Sequence, residues 1–111
     1  MIDTDPFIQT LRNRLAAPLP GREAQYKMAF AHRVEELRHR LNPPDNAKTG
    51  CVLLSLWQEL GVWHTALIRR TESPRDRHSG QISFPGGRHD EGDETFAHTA
   101  LREANEEIGI I

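Results

Sequence analysis

Glu103, Glu106 and Glu107 stand at the spacings that gather carboxylates on one side of a helix. At helical pitch the three side chains fall within an arc of about 100°. Such a face opposes its own stability. Like charges three and four residues apart cost about a few tenths of a kcal/mol per pair, and acids near a helix carboxyl end oppose the macrodipole. Arg102 is the only cation within the cluster. A divalent cation would relieve the repulsion, and oxygen-only ligands suit Mg²⁺ or Mn²⁺ better than zinc. The plainer reading of these residues alone is a solvated acidic helix face.

A basic segment precedes the acidic one. Arg69, Arg70, Arg75, Arg77 and His78 fall within ten residues. Arginine forks bind phosphate through paired N–H donors, so this loop is a candidate phosphate clamp; otherwise it serves solubility. Gly86-Gly87 would let backbone N–H groups approach a phosphate, or would form a tight turn. His89 and His98, at the edges of the acidic segment, read as surface residues. Cys51 opens an apolar run and reads as a small core residue, without a cysteine-enzyme motif around it.

The elements that must position these groups follow from periodicity. Asp5-Pro6 is an N-cap followed by a proline suited to the first helical turn, and Phe7, Ile8, Leu11 and Leu15 recur at helical spacing, predicting a helix over about 6–16. Residues 21–32 read as irregular. Val34, Leu37 and Leu41 predict a second helix, stopped by Asn42-Pro43-Pro44. From residue 50 the pattern shortens: 51–57 and 62–69 read as strands, joined through a turn at 58–61 into an antiparallel hairpin. Residues 71–79 read as a loop, and 81–84 as a strand stopped by Pro85-Gly86-Gly87. A helix is predicted over about 95–108, and Gly109 sits where its carboxyl end favours a left-handed residue. Ala97, Ala100, Leu101, Ala104 and Ile108 make its packing stripe.

The chain has 111 residues, with 37% hydrophobic and 27% charged, the balance of a folded domain. A net charge of -2 argues against a nucleic-acid-binding module. No stretch approaches a membrane span, and the first ten residues lack a secretory pattern. A lone thiol fits a reducing compartment, with the cytoplasm as the expectation.

The segment from Glu94 to Ile110 resembles the Nudix hydrolase signature: Glu94, seven residues, Arg102-Glu103, Ala104, Asn105, Glu106-Glu107, Ile108, Gly109 and Ile110. Six residues separate Gly87 from Glu94 where the signature has five. Either the loop is longer by one, or Asp93 takes the first acid's place. The resemblance implies a metal-dependent pyrophosphohydrolase. Glu103, Glu106 and Glu107 would be metal ligands for Mg²⁺ or Mn²⁺. Arg102 would hold the carboxylates, Glu94 or Asp93 would anchor the loop, and Glu103 or Glu106 would accept the proton. Residues 66–87 are similar to a further motif of the coenzyme A pyrophosphatase branch, through Leu67, Arg70, Arg75, Gly80 and Phe84-Pro85-Gly86-Gly87. Ala66 and Ile68 depart from it, Thr71 replaces a serine, and one extra residue before Gly80 leaves Arg75 or Arg77 as the second arginine. Pro20-Gly21, Ala24-Gln25 and Lys27-Met28-Ala29 are similar to the amino-terminal stretch of bacterial members.

The implied reaction is hydrolysis of coenzyme A or a derivative to 3′,5′-ADP and 4′-phosphopantetheine, with Arg70, Arg75, Arg77, Gly86 and Gly87 binding substrate. Alternatives are another nucleoside diphosphate derivative, such as ADP-ribose or a dinucleotide, a non-catalytic binding module, or an inactive truncated module. The implied fold is α+β: a partial Nudix αβα sandwich, its mixed sheet carrying the Nudix helix, over 49–111, after a helical extension over 1–48. In the family pattern further strands and a second helix would follow Ile111, so a homodimer partner is one way to complete the sheet.

Overall fold

A computed structural model describes residues 2–39, 43–75 and 79–110. The chain divides into two compact units, Met1–Pro44 and Asp45–Ile111.

The first unit is helical. After a 3-10 turn at Ile2–Thr4, helix α1 spans Pro6–Ala16. Its cap is built as the sequence predicts: the Asp5 carboxylate accepts from the Phe7 N–H at 2.8 Å, with Pro6 in the first turn. Ala17 is extended because the following proline disfavours helical backbone before it. A short α2, Arg22–Tyr26, occupies a stretch expected to be irregular. Its five residues are too few to show an apolar period, which is why the pattern missed it. Helix α3 spans Ala31–Arg38. Leu41, counted in its apolar face, lies outside the described residues.

The second unit holds β1 (Gly50–Val52), β2 (Trp57–Glu59), β3 (Val62–His64), β4 (Ile68–Arg69), β5 (Ile82–Ser83), β6 (Gly86–Arg88) and α4 (Phe96–Ile108). The α+β class is borne out. The expected mixed sheet is seen, among the described residues, as three antiparallel pairs: β1 with β6, β2 with β3, and β4 with β5. A two-residue link allows only an antiparallel partner for β2, since parallel pairing needs a crossover of about a dozen residues.

The strand boundaries correct the sequence reading. The apolar run 51–57 is divided between β1 and β2, and the run 62–69 between β3 and β4. The hairpin is therefore β2–β3, turning at Leu60-Gly61 with φ of 51° and 78°. Both positive values suit the turn that matches strand twist. Residues Gly86 and Gly87 form neither a turn nor a strand stop. They pair with Val52 and Cys51 in β6.

That pairing explains how α4 is seated. It packs on β6 and β1, with Ala100 and Ala104 buried. The strand's glycines leave room for the Glu103 and Glu107 side chains that reach it from α4. At Gly86 a Cβ would run into the Cys51 carbonyl and lie 2.7 Å from Val52 Cα. Both ends of α4 follow the sequence. Thr95 Oγ1 accepts from the His98 N–H at 3.0 Å, and Gly109 takes φ 72° while donating to the Asn105 carbonyl at 3.0 Å.

Candidate active site

Helix α4 carries Arg102, Glu103, Glu106 and Glu107, and β6 lies against their side. The Glu107 carboxylate accepts from the Gly86 N–H at 3.2 Å. Glu103 faces Gly87: a Cβ built there would lie 2.6 and 2.8 Å from its two carboxylate oxygens. Glycine is thus demanded at 86 by the backbone of the neighbouring strand, while at 87 it leaves room for the Glu103 carboxylate.

Arg102 joins the acidic face to the preceding loop. Its Nη1 donates to Glu103 at 3.0 Å and to Glu106 at 3.4 Å. Its Nε and Nη2 form a fork on Asp93, at 3.0 and 2.9 Å. Nη2 also donates to the Arg88 carbonyl at 3.3 Å and lies 3.5 Å from Asp90. Asp93 is only 9% exposed. It further accepts from Thr99 Oγ1 at 2.9 Å and from the Asp90 N–H at 3.0 Å. The Arg102 fork, then the Asp90 amide, hold its carboxyl far below the usual carboxylate range, against the opposing effect of burial. The same fork, with Glu103 beside it, raises the guanidinium above its ordinary range.

Of the two acids between which the sequence left the loop position open, Asp93 is the one bonded to Arg102. Glu94 is exposed, and its N–H donates to His98 Nδ1 at 3.3 Å. His89 is not a simple surface residue: its Nδ1 lies 2.6 Å from Thr99 Oγ1. No motif singled it out, because neither its type nor its spacing belongs to the matched pattern.

The basic loop is only partly brought to this face. A cavity of about 650 Å³ is lined, among the described residues, by Ile68, Arg69, Arg70, Thr71, Ser73, Gly86, Gly87 and Glu107. Arg70 also borders a neighbouring hollow of about 500 Å³ beside β1 and β6. Arg75 is exposed and lines neither. Arg77 and His78 lie outside the described residues. Cys51 is half-buried with a free thiol.

Among the described residues, no three His, Cys, Asp or Glu side chains converge as a ready-made metal site. The donor chemistry nevertheless fits a hard cation. All three glutamates offer oxygen, and among the described residues each bonds to the protein through one oxygen. The absence of a Cβ at Gly87 leaves the place beside it to the Glu103 carboxylate.

A model of the NUDIX domain matches residues 48–111. The chain is 40% identical over 62 residues to the mitochondrial coenzyme A diphosphatase NUDT8 of Homo sapiens, covering 56% of this chain and 26% of that protein. It is 56% identical over 61 residues to NUDT8 of Mus musculus, covering 53% and 28%. An uncharacterized Nudix hydrolase, NudL, of Pectobacterium atrosepticum is 46% identical over 46 residues, covering 41% and 24%. The chain spans about a quarter of the length of the curated relatives it matches. No helix among the described residues is long and apolar enough to cross a membrane.

Proposed function

This chain belongs to the Nudix family, and on that premise we propose that it hydrolyses a diphosphate linkage with the aid of a divalent cation, in coenzyme A or a derivative. The observation that carries the proposal is one cavity bordered by arginine on one side and by glutamate and paired glycines on the other: Arg69 and Arg70 facing Gly86, Gly87 and Glu107. A diphosphate needs both. Its negative charge calls for cations, and its attack by water calls for an acceptor of the proton.

In this reading Glu103, Glu106 and Glu107 hold Mg²⁺ or Mn²⁺. The ion, when bound, neutralises charge on the diphosphate and makes attacking water easier to deprotonate. Arg102 orients two of the carboxylates, while Asp93 orients Arg102. Glu103 or Glu106, both fastened by Arg102, accepts the proton. Of the two, Glu103 lies against Gly87, a residue that lines the cavity. Arg70 binds phosphate through its guanidinium, joined by Arg75 and Arg77 from the loop. Asp93, rather than Glu94, anchors the loop in this reading, through its fork with Arg102.

Coenzyme A carries a 3′-phosphate beside its diphosphate, and an arginine-rich loop suits that second anion. The two NUDT8 relatives are named as coenzyme A diphosphatases, which supports the same substrate class. The proposal includes 49–111 as the Nudix domain, 1–48 as a helical extension, the cytoplasm as compartment, and a homodimer as the assembly.

The test is incubation of the chain with coenzyme A and Mg²⁺ or Mn²⁺, beside dephospho-coenzyme A and ADP-ribose, with Glu103→Gln and Glu107→Gln as controls. Release of 3′,5′-ADP, lost in both variants and weaker without the 3′-phosphate, is the expected result. Faster turnover of ADP-ribose would move the substrate to the other nucleoside diphosphates. Equal rates in all three proteins would discard the mechanism.

A further inference from the structure

We propose that His89 is a positioning residue for the carboxylate face of α4, acting through Thr99, Asp93 and Arg102. Its consequence for a bound cation rests on the function proposed above; its geometry does not.

The inference begins with one hydroxyl proton. Thr99 is fully buried, and its Oγ1 has three neighbours: His89 Nδ1 at 2.6 Å, Asp93 Oδ2 at 2.9 Å and the Thr95 carbonyl at 3.3 Å. An ionised carboxylate and a carbonyl only accept. The Thr99 proton therefore goes to one of these oxygens, and His89 Nδ1 must donate to Oγ1. The reverse arrangement, with Thr99 donating to the imidazole, would turn hydroxyl lone pairs onto the Asp93 carboxylate in a buried place. Neutral His89 is thus held as the Nδ1–H tautomer, and the imidazolium would donate from the same atom.

The ring is fixed from two further directions. Phe96 meets it edge-on, with centroids 5.0 Å apart and planes at 80°. The His89 backbone N–H bonds to the Thr49 carbonyl at 2.9 Å. Donation into Oγ1 polarises the hydroxyl and strengthens its own bond to Asp93. Asp93 Oδ2 then shares the Arg102 fork, whose remaining nitrogen reaches Glu103 and Glu106. The imidazole stands at one end of a continuous set of hydrogen bonds that ends on the acidic face.

The test compares His89→Leu, which removes the donor, with His89→Asn, whose amide nitrogen occupies the place of Nδ1. In wild-type protein in mildly alkaline buffer, ¹⁵N spectroscopy should show His89 with Nδ1 protonated and Nε2 bare. The Arg102 Nε–H signal should be resolved in wild type and His89→Asn and lost in His89→Leu. Mn²⁺ affinity, read by electron paramagnetic resonance, should fall about tenfold in His89→Leu, the low end for outer partners of metal ligands, and stay near wild type in His89→Asn. An Nε2–H tautomer in wild type would overturn the proposal, as would an unchanged Arg102 signal in His89→Leu. If wild type takes up no Mn²⁺, the metal reading fails while the nitrogen and arginine signals still decide the positioning role. If His89→Leu does not fold, the wild-type tautomer decides it.

Discussion

Replacing Gly87 by alanine puts a methyl group where the Glu103 carboxylate lies. The added Cβ would run into the carboxyl carbon and stand 2.6 and 2.8 Å from the two oxygens, whereas ordinary contact begins at 3.4 Å, so the carboxylate must withdraw by about 1 Å. It can do so, because the intruded atoms are the tip of a flexible side chain. The stability cost should therefore sit at the low end for overpacking, about 1 kcal/mol. In a unit of this size that lowers the melting temperature by roughly 4–8 °C. The displacement also pulls on the 3.0 Å bond from Arg102. Disturbing the support of a metal ligand typically costs about 10–100-fold in affinity or activity.

Gly86→Ala supplies the contrast. Its Cβ would meet the backbone of β1, 2.7 Å from Val52 Cα, and backbone cannot withdraw without parting the β1–β6 ladder. That substitution should cost more stability, about 3 kcal/mol. The assay is a Mn²⁺ titration beside a thermal melt for both variants. Gly87→Ala should melt above Gly86→Ala yet bind Mn²⁺ at least about tenfold more weakly than wild type. Wild-type affinity in Gly87→Ala, or a lower melting temperature for it than for Gly86→Ala, would refute the reasoning.

Asp93→Asn should destabilise the fold at neutral pH, and the difference from wild type should shrink in acid. The folded carboxyl lies below its ordinary value of 3.8, so its contribution is complete above that value and fades as pH falls through the depressed one; melts across the acid range check this. Gly109→Ala forces alanine to φ 72° and should cost about 1–2 kcal/mol by denaturant unfolding, without changing Mn²⁺ affinity. Arg70→Ala should raise KM for coenzyme A with little change in kcat, since the side chain borders the cavity away from the acidic helix; steady-state kinetics separates the two.

Helix α1 was legible because the Asp5-Pro6 cap, an apolar period and a stop signal agree, and α4 because its apolar stripe ends at Gly109; the Thr95 cap was not read in advance. The strands were legible as a class but not by boundary. A run such as 51–57 carries no residue that marks its break after Val52, and the pairing that sets the break comes from Gly86–Arg88, far along the chain. The glycine pair was misread for the same reason: locally Pro-Gly-Gly spells a turn, and only pairing with β1 makes it a strand. Spacing left Asp93 and Glu94 as alternatives. Burial and the Arg102 fork distinguish them, and neither is written in the sequence. The spacing of Arg102, Glu103, Glu106 and Glu107 put them on one helix face from the outset, but the approach of β6 to that face is a long-range contact.

The most direct measurement is a Mn²⁺ titration of the chain, with and without a non-hydrolysable diphosphate, followed by electron paramagnetic resonance beside Glu103→Gln and Glu107→Gln. Saturable binding that tightens with the diphosphate, and weakens at least about tenfold in each variant, is the expected result. Absence of Mn²⁺ uptake in the presence of the diphosphate, or the same affinity in all three proteins, would contradict a metal-gripping acidic helix.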